Sequence, residues 1–245
     1  MSKQIADGRF NLLSAIIVMP AFNEAGVIAA VIDEIKKYCN LPIMVVDDAS
    51  TDNTAAVAEA SGAIVVKLCV QLGAWGATQT GIRYALRHKY RFVISMDADG
   101  QHQASCLQKI ARPVKIGDAD VCIGTCIRRG SILRQLAWKM MRKTSGLSLE
   151  DLTSGFRVYN QSAMLELAGW RATLLEYQDI GVLLMLQSQG LKILDTEVDM
   201  LQRINGPSRV FRSWSLVGYY MCHTLLLGLT KRRSNIKSKV SAPPR

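Results

Sequence analysis

Short apolar runs alternate along the first half of the chain with segments whose apolar residues recur at helical spacing. Each apolar run is the length of a buried strand. The runs are Ala15–Met19, Ile43–Val46, Ala63–Lys67, Phe92–Met96 and Val121–Gly124. Strands alternating with helices at intervals of about 20 to 30 residues are typical of an α/β protein. We therefore predict a mostly parallel central sheet with helices on both faces.

The segments between these runs predict helices. After the first run, apolar residues recur at the spacing of one helix face, namely Val27, Ile28, Val31, Ile32 and Ile35. Asn23 is a plausible N-cap for this helix. Further helices are expected at Ala55–Ala60 and Ala77–Arg87, and we place Gly73, Gly76 and Gly81 in a loop that enters the second of these.

Polar clusters follow three of the predicted strands directly: Pro20–Glu24, Asp47–Asp52 and Asp97–Gln101. Ligands of open parallel sheets bind outside the carboxyl ends of the strands. Loops at these ends are generally polar, but that tendency does not explain four acids at strand ends. The three clusters therefore predict one shared binding site.

The segment Asp97-x-Asp99-x-Gln101 is a candidate metal site. In an extended chain, side chains at i, i+2 and i+4 point the same way, so these oxygens would meet just beyond the strand. Mg²⁺ and Mn²⁺ prefer such oxygen ligands, usually shared with substrate phosphates. The plainer interpretation is a polar loop with two solvated acids.

Composition bounds the size and excludes other site types. The 245 residues, 49% hydrophobic and 20% charged, suit one globular α/β domain with or without an appendage. No signal-peptide pattern opens the sequence. Six scattered cysteines and three histidines form no zinc pattern, so we expect reduced thiols in a cytosolic protein.

Positive charge is concentrated at the C-terminal end. Residues 203–245 hold nine of the 30 Lys and Arg residues and no acid, which leaves 21 basic and 20 acidic residues before them. Such a tail favours nucleic acid, anionic lipid or phosphate-bearing partners, or is merely solvating. Within it, the apolar Trp214–Thr230 has 17 residues, short of the roughly 20 that span a bilayer. Basic residues flank it, and its aromatic residues suit a membrane interface, so we expect a helix lying on the cytoplasmic leaflet. A core or dimer-interface helix is the alternative.

Two other protein classes are less compatible with the sequence. Dinucleotide binding needs a glycine-rich first turn, whereas the turn Pro20–Glu24 has no glycine until Gly26. A nucleic-acid-binding module would use the basic tail but leaves the acidic strand ends unexplained. A nucleotidyltransferase would also place acids and a metal at strand ends.

Six motifs in this order resemble family 2 glycosyltransferases with the GT-A nucleotide-sugar-binding fold. The resemblance is strongest to the dolichol-phosphate mannosyltransferase and bacterial polyprenyl-phosphate glycosyltransferase branch, and it covers roughly residues 16–209. The motifs are Pro20-x-Phe22-Asn23-Glu24, Val46-Asp47-Asp48-x-Ser50-x-Asp52-x-Thr54, Gly73-x-x-Gly76-Ala77-x-x-x-Gly81, Asp97-Ala98-Asp99-Gly100-Gln101-His102, Asp151-x-x-Ser154-Gly155-Phe156-Arg157 and Arg203-x-x-Gly206-x-Ser208. After Gly124 related enzymes often carry Ser-Arg, where this chain has Thr125-Cys126.

The resemblance implies a role for each matching residue. Residues that would bind the nucleotide-sugar donor are Pro20, Phe22, Glu24, Asp47, Asp48, Gly76 and Asp97. Asp97, Asp99 and Gln101 would hold Mg²⁺ or Mn²⁺. The segment Ser154, Gly155, Phe156 and Arg157 would line the acceptor side, and Arg203 would approach the diphosphate or an acceptor phosphate. A metal and an arginine suit a reaction in which negative charge grows on a leaving diphosphate.

The resemblance also implies a metal-dependent, inverting transfer of a sugar from a nucleoside diphosphate to a polyprenyl phosphate. A phosphate acceptor is already ionised and needs no general base. A glycan or lipopolysaccharide hydroxyl would need one, and Glu176 or Asp179 could serve. These two acids could equally complement a helix dipole.

We accordingly expect three regions: a GT-A domain over 1–212, a membrane-associated or amphipathic helix over 213–233, and a disordered basic tail over 234–245. The expected partners are a sugar nucleotide, a lipid-phosphate or glycan acceptor and an anionic membrane surface, with no nucleic acid. The protein would be peripheral at the cytoplasmic face of a membrane, and an oligomer is possible.

Overall fold

The fold is organised around one mixed β-sheet. The structure, a computed structural model, describes residues 12–126, 149, 154–175 and 180–201. Within them the strands are β1 (Ala15–Ala21), β2 (Ile43–Asp47), β3 (Ile64–Lys67), β4 (Phe92–Ser95), β5 (Val121–Thr125), β6 (Arg157–Asn160) and β7 (Ile193–Glu197). They form a seven-stranded sheet in the order β3-β2-β1-β4-β6-β5-β7.

Helices connect most of these strands. They are α1 (Ile28–Tyr38), α2 (Thr54–Ala60), α3 (Gly73–Arg87), α4 (Leu107–Lys115), α5 (Gln161–Ala168), α6 (Trp170–Thr173) and α7 (Ile180–Ser188). A short 3₁₀ helix, Ala104–Cys106, precedes α4.

Two apolar cores lie on opposite faces of the sheet, because the central strands are buried on both sides. One core joins the sheet to α1, α2 and α4. The other joins it to α3, α5, α6 and α7. Along β1, side chains alternate between the two cores, so that Ile17 and Met19 face one while Ile16 and Val18 face the other. The α/β fold expected from the sequence is confirmed.

Strand pairing is parallel except at β6. β1 pairs in parallel with β2 and β4, β2 with β3, and β5 with β7. β6 runs antiparallel between β4 and β5. The pattern of apolar runs did not predict β6 or β7. β6 is only four residues long and opens on a charged residue, Arg157, while β7 (Ile-Leu-Asp-Thr-Glu) is only half-buried.

The five predicted strands and the three predicted helices are present, with two local corrections. The prediction that Asn23 caps α1 is wrong: the helix begins at Ile28, and Asn23 adopts a positive φ of 54° in the preceding turn. The prediction of a glycine loop is also wrong, because α3 begins at Gly73 and includes Gly76 and Gly81. Gly81 has a packing role, since a Cβ there would lie 2.3 Å from Cγ1 of Val18 on β1.

Polar side chains fasten α3 to α5 and α6. The indole nitrogen of Trp75 donates to the carbonyl of Ala172 at 2.8 Å. The amide nitrogen of Gln79 donates to the carbonyl of Leu167 at 2.8 Å. Both side chains are buried, and their partners are carbonyls at or near the end of a helix. These bonds hold α5 and α6 against α3.

None of the helices in the described part of the chain combines the length and the apolar character needed to cross a bilayer. The predicted interfacial segment Trp214–Thr230 lies outside the described residues, as do the predicted regions 213–233 and 234–245.

Candidate active site

Strand register brings the three polar clusters to one edge of the sheet. Ala21 of β1 is opposite Asp47 of β2, and Val18 of β1 is opposite Ser95 of β4. The carboxyl ends of these three parallel strands therefore share one edge, with β1 in the middle. Asp47 ends β2 and Asp97 follows β4. These two strands are two strand spacings apart, about 9–10 Å across the sheet. This edge, at the carboxyl ends of β1, β2 and β4, is called the site edge below.

The first two loops of the site edge are fastened to each other by hydrogen bonds. Ser50 Oγ accepts the N–H of Asn23 at 2.9 Å, and Asn23 Oδ1 accepts the N–H of Thr51 at 2.8 Å. Thr54 Oγ1 accepts the N–H of Glu24 at 2.8 Å. These bonds fix the turn after β1, in which Phe22 is half-buried and Glu24 is buried; Pro20, near the end of β1, is half-buried.

Asp52 completes this fastening. One carboxylate oxygen accepts the N–H of Ala25 at 3.2 Å, and the other accepts the N–H of Thr54 at 2.9 Å and its hydroxyl. Burial alone would raise the pKa of Asp52, but the hydrogen bonds from Thr54 and Ala25 outweigh it and lower the pKa below its ordinary value of 3.8.

Asp48 is buried and bonded to the backbone at the start of α3. Its two oxygens accept the N–H groups of Leu72 at 2.7 Å and Gly73 at 2.9 Å. A carboxylate here satisfies otherwise unpaired helix donors and complements the helix dipole. Gly76 lies inside α3, where a Cβ would be 2.6 Å from the Cβ of Leu72. Both residues stand beside the site edge, and their predicted nucleotide-binding roles stay predictions.

Asp47 differs from its neighbour. It ends β2 with only 5% of its surface exposed, and its Oδ1 has no hydrogen-bond partner among the residues that the structure describes. A buried carboxylate oxygen without a donor is costly, so the group is suited to a ligand that brings its own N–H or O–H. Among the residues predicted to bind the nucleotide, Asp47 has this property most clearly.

Asp97 lies in the turn after β4, between His102 of the same turn and Gly155, which precedes β6. Its backbone N–H donates to Nδ1 of His102 at 3.0 Å, and Nε2 of the same ring lies 3.6 Å from Asp97 Oδ2. On the other side the carboxylate packs on Gly155, where a Cβ would come within 2.5 Å of Oδ1. The Asp97 side chain keeps 39% of its surface exposed, so the carboxylate is oriented yet open to a ligand.

The segment that is predicted to line the acceptor side, residues 154–157, therefore lies beside Asp97. Ser95 Oγ donates to the carbonyl of Gly155 at 2.7 Å, which joins the end of β4 to this segment. Ser154, Phe156 and Arg157 are buried, and Arg157 Nε donates to the carbonyl of Ser154 at 2.8 Å. The fully buried guanidinium therefore helps to hold the segment in shape.

The metal motif is a turn and not an extended strand. β4 ends at Ser95, Gly100 has a φ of +77°, and Asp99 Oδ1 accepts the N–H of Gln101 at 3.1 Å. The alternation argument used to align Asp97, Asp99 and Gln101 is therefore wrong. The turn nevertheless keeps the three oxygen-bearing side chains within five consecutive residues.

This donor set fits a hard divalent cation. The acceptor atoms in the side chains of Asp97, Asp99 and Gln101 are all oxygens. Asp97 and Asp99 are partly exposed. In the ranges that the structure covers, no group of three or more His, Cys, Asp or Glu residues is arranged to hold a metal. Mg²⁺ commonly takes only one or two carboxylates and completes its shell with water and substrate phosphates, so two acids suffice.

The chain returns to this motif after β7. Leu201 donates its N–H to the carbonyl of Gln101 at 2.9 Å, and Met200 pairs with His102. Arg203, Glu176 and Asp179 lie outside the described residues, so their predicted roles stay predictions.

Sequence reasoning assigned no role to His102, although the residue belongs to the quoted motif. Its ring is buried, stacks on Phe156 with centroids 5.0 Å apart, and contacts Asp97. A histidine five residues after the first motif acid was visible in sequence. Its position against that acid depends on the turn at Gly100.

Five cysteines lie in the described residues and all are free thiols: Cys39, Cys69, Cys106, Cys122 and Cys126. The pKa of Cys122 is raised to about 11, chiefly by burial and to a smaller extent by the negative charge of Asp195. A hydrogen bond between Cys122 and Thr196 acts in the opposite direction and lowers it. These observations agree with the expectation of unpaired cysteines.

Comparison with known proteins identifies the family. The model of the family described as "Glycosyl transferase family 2" matches residues 16–168. The polyprenol monophosphomannose synthase of Mycolicibacterium smegmatis is 27% identical over 166 residues, covering 61% of this chain and 62% of that protein. The undecaprenyl-phosphate mannosyltransferase of Micrococcus luteus is 24% identical over 248 residues, covering 93% of this chain and 99% of that protein.

A solved structure shows the same fold. Glucosyl-3-phosphoglycerate synthase from Mycobacterium tuberculosis, in complex with Mn²⁺, uridine diphosphate and phosphoglyceric acid, superposes with a TM-score of 0.66 at 20% identity. The match covers 89% of this chain and 78% of that one. Because the family model matches residues 16–168, more than half of the chain, the chain belongs to glycosyl transferase family 2 and is a glycosyltransferase.

Proposed function

We propose that the protein transfers a sugar from a nucleoside-diphosphate sugar to a polyprenyl phosphate, with inversion and with a divalent metal. The observation that carries the proposal is the contact between Asp97 and Gly155, because it joins the donor side of the site to the segment proposed for the acceptor. The names of the two mannosyltransferase relatives support the lipid-phosphate acceptor. The complex of the structural neighbour with Mn²⁺ and uridine diphosphate supports the metal and the donor.

Donor binding is assigned to the strand ends of β1 and β2. Oδ1 of Asp47, which has no hydrogen-bond partner among the described residues, would accept an N–H of the nucleobase, since both uracil and guanine carry a ring N–H. Asp48, whose oxygens are occupied by backbone donors, would act by holding the start of α3 beside the base. Pro20, Phe22 and Glu24 would line the same pocket from the end of β1 and the turn after it.

The reacting end of the donor is assigned to the Asp97 turn. A divalent cation bound by Asp97, Asp99 and Gln101 would neutralise the charge that develops on the leaving diphosphate. His102 would hold the Asp97 carboxylate in place, and Gly155 would leave room for it. Arg203 would contact a phosphate. Leu201, two residues before it in the chain, is hydrogen bonded to Gln101.

The proposed reaction is a direct displacement. An ionised oxygen of the acceptor phosphate attacks the anomeric carbon, and the bond from that carbon to the diphosphate oxygen breaks with its electron pair going to the leaving group. One attack from the opposite face inverts the anomeric centre. No proton has to be removed, so Glu176 and Asp179 are not required as bases. With a hydroxyl acceptor one of them would be required.

Membrane location is part of the proposal. A polyprenyl phosphate stays in the bilayer, so the enzyme would act as a peripheral protein at the cytoplasmic face.

The test combines donor binding with transfer. Calorimetry with a panel of sugar nucleotides, with and without Mn²⁺, should give one preferred donor whose binding depends on the metal. Asp97→Asn should lower transfer to a short-chain polyprenyl phosphate by about 100-fold or more, while Asp118→Asn, an exposed acid before β5, should leave it unchanged. Donor binding that ignores both the metal and Asp97→Asn would overturn the proposal.

The acceptor class has its own readout. Asp179→Asn and Glu176→Gln should retain transfer to the phosphate acceptor in folded protein. Loss of transfer in either variant, with normal donor binding, would favour a hydroxyl acceptor instead.

A further inference from the structure

Large apolar side chains are exposed next to the site edge on the side of α3. Val70 and Leu72, in the loop before α3, are 63% and 52% exposed. Trp170 and Leu174, at the two ends of α6, are 69% and 73% exposed. These four side chains are called the edge patch. Exposed residues of this size usually mark an interaction surface when they are grouped.

Hydrogen bonds connect the two halves of the edge patch to each other and to the site. Asp48 binds the backbone N–H groups of Leu72 and Gly73, which places the loop before α3 at the end of β2. Trp75, in the first turn of α3, donates to Ala172 in the middle of α6. The loop before α3 therefore adjoins the proposed nucleotide pocket. α6 lies alongside α3, since Arg83 in the third turn of α3 also donates to the hydroxyl of Thr173 at 2.8 Å.

Exposed apolar residues at the other end of the sheet are scattered singly. Leu13 precedes β1, Tyr38 ends α1 and Ile116 follows α4. All three stand where the parallel strands begin, away from the carboxyl ends. They serve as a natural control for the edge patch.

Exposed basic side chains occur in the two segments that carry the edge patch. Lys67 and Arg171 are exposed, and no Asp or Glu occurs in residues 67–75 or 169–175. The guanidinium of Arg171 lies over the ring of Trp170, 5.8 Å from its centroid. Tryptophan, leucine and basic side chains in this combination are typical of protein surfaces that enter the headgroup region of an anionic bilayer.

We propose that the edge patch docks the protein on an anionic membrane, with Trp170 and Leu174 inserted among the headgroups and Lys67 and Arg171 facing lipid phosphates. This docking surface presupposes the proposed lipid acceptor, since only an acceptor held in a bilayer requires the site edge to face the membrane. The acceptor phosphate lies at headgroup depth, so docking by a patch beside the site brings donor and acceptor to the same level.

The test measures binding of the full chain to vesicles of phosphatidylcholine and phosphatidylglycerol in equal parts. The double variant Trp170→Ser/Leu174→Ser should bind at least about tenfold more weakly, because two large apolar side chains no longer leave water. The matched control, Leu13→Ser/Ile116→Ser, should bind like the wild type. Vesicles of phosphatidylcholine alone should bind the wild type at least about tenfold more weakly.

Transfer assays separate this proposal from the proposed function. With a water-soluble short-chain polyprenyl phosphate, the edge-patch variant should work as well as the wild type, and with a long-chain acceptor in vesicles it should be slower. If the wild type transfers to neither acceptor, the proposed function fails, and the vesicle binding of the two double variants still decides the docking surface.

Equal binding by the two double variants would overturn the docking surface, whatever their common level. The docking surface would also be overturned if the wild type formed a dimer that the edge-patch substitutions dissociated while vesicle binding stayed the same. If the edge-patch variant does not fold, Trp170→Phe replaces it: brominated lipid should quench the tryptophan fluorescence of the wild type more than that of Trp170→Phe. Equal quenching in those two proteins would count against insertion of Trp170.

Discussion

Asp97 illustrates how a single carboxylate is oriented by its neighbours in this fold. His102 contacts it from the turn after β4, and Gly155 contacts it from the segment before β6. Gly155 lies so close to this carboxylate that the Cβ of any other residue would collide with Asp97 Oδ1. The side chain is thus held from two sides while 39% of its surface stays exposed. Such preorganisation is what a group that stabilises developing charge needs.

Gly155→Ala should lower transfer by about 10- to 100-fold while the protein stays folded. The new Cβ would come within 2.5 Å of Asp97 Oδ1, so the carboxylate must move, and displacements of about 1 Å at a reacting centre cost up to about 100-fold. Steady-state transfer rates and a circular dichroism melt check the two parts.

Gly190→Ala is the matched control. A Cβ at Gly190 meets nothing within 4 Å, although its φ of +78° makes the substitution mildly strained. It should cost stability without lowering transfer. An unchanged rate in Gly155→Ala would show that the close contact does not position Asp97.

At the scale of elements, the site edge depends on parallel pairing in register. β1 lies between β2 and β4, so the loops that follow these strands open on the same edge. Side chains from one loop then bind backbone groups of another. Asn23 and Asp52 are 29 residues apart in sequence but belong to the same hydrogen-bonded unit. This unit fixes the turn after β1 without any regular secondary structure.

Asp52→Ala should destabilise the protein by about 0.5–1 kcal/mol at neutral pH, through the loss of its solvent-screened hydrogen bonds to Thr54 and Ala25. The pKa of Asp52 in the folded state lies below 3.8. Its contribution is therefore complete above that pH and is lost as the pH falls through the folded-state pKa. Urea unfolding of both proteins at several pH values should show the difference shrinking below about pH 3.8.

Asp33→Ala, which removes an exposed acid on α1, controls for the general loss of negative charge. It should change stability much less at neutral pH. A difference between wild type and Asp52→Ala that stays constant down to the acid transition would contradict the assignment.

At the scale of the whole molecule, the sheet supports the loops that carry the polar groups of the site edge. Two cores bury the central strands from both sides, and Gly81 lets α3 pack closely on Val18 of β1. The groups proposed for binding and catalysis come from the ends of several strands, so their geometry is a property of the whole sheet. A ligand that bridges those strand ends should stabilise the entire domain.

The proposed donor, at about 100 times its Kd and with Mn²⁺, should stabilise the protein by about 2.7 kcal/mol. For a chain of 245 residues this corresponds to a rise in Tm of roughly 5–10 °C. Differential scanning calorimetry measures the shift. Asp97→Asn should show little of it, and a comparable rise with the donor in the presence of a chelator would contradict a shared donor and metal site.

The sequence alone determined the elements that depend on local pattern. Continuous apolar runs predicted β1 to β5, and polar residues directly after three of them predicted where the site would lie. The motifs were sufficient to recognise the glycosyltransferase family. Arrangements between distant segments could not be predicted in this way: the antiparallel β6, the half-buried β7 and the closeness of Gly155 to Asp97.

Two residues show the physical reason. Asp47 and Asp48 are identical in type and adjacent in sequence. Asp48 binds the start of α3, while a buried oxygen of Asp47 has no partner within the described part of the chain. Sequence determines which groups carry charge and which strands are buried, because these follow from side-chain chemistry and local periodicity. Only the tertiary structure decides which of two equal carboxylates is bonded to the backbone, because hydrogen-bond partners are brought from elsewhere in the chain by packing.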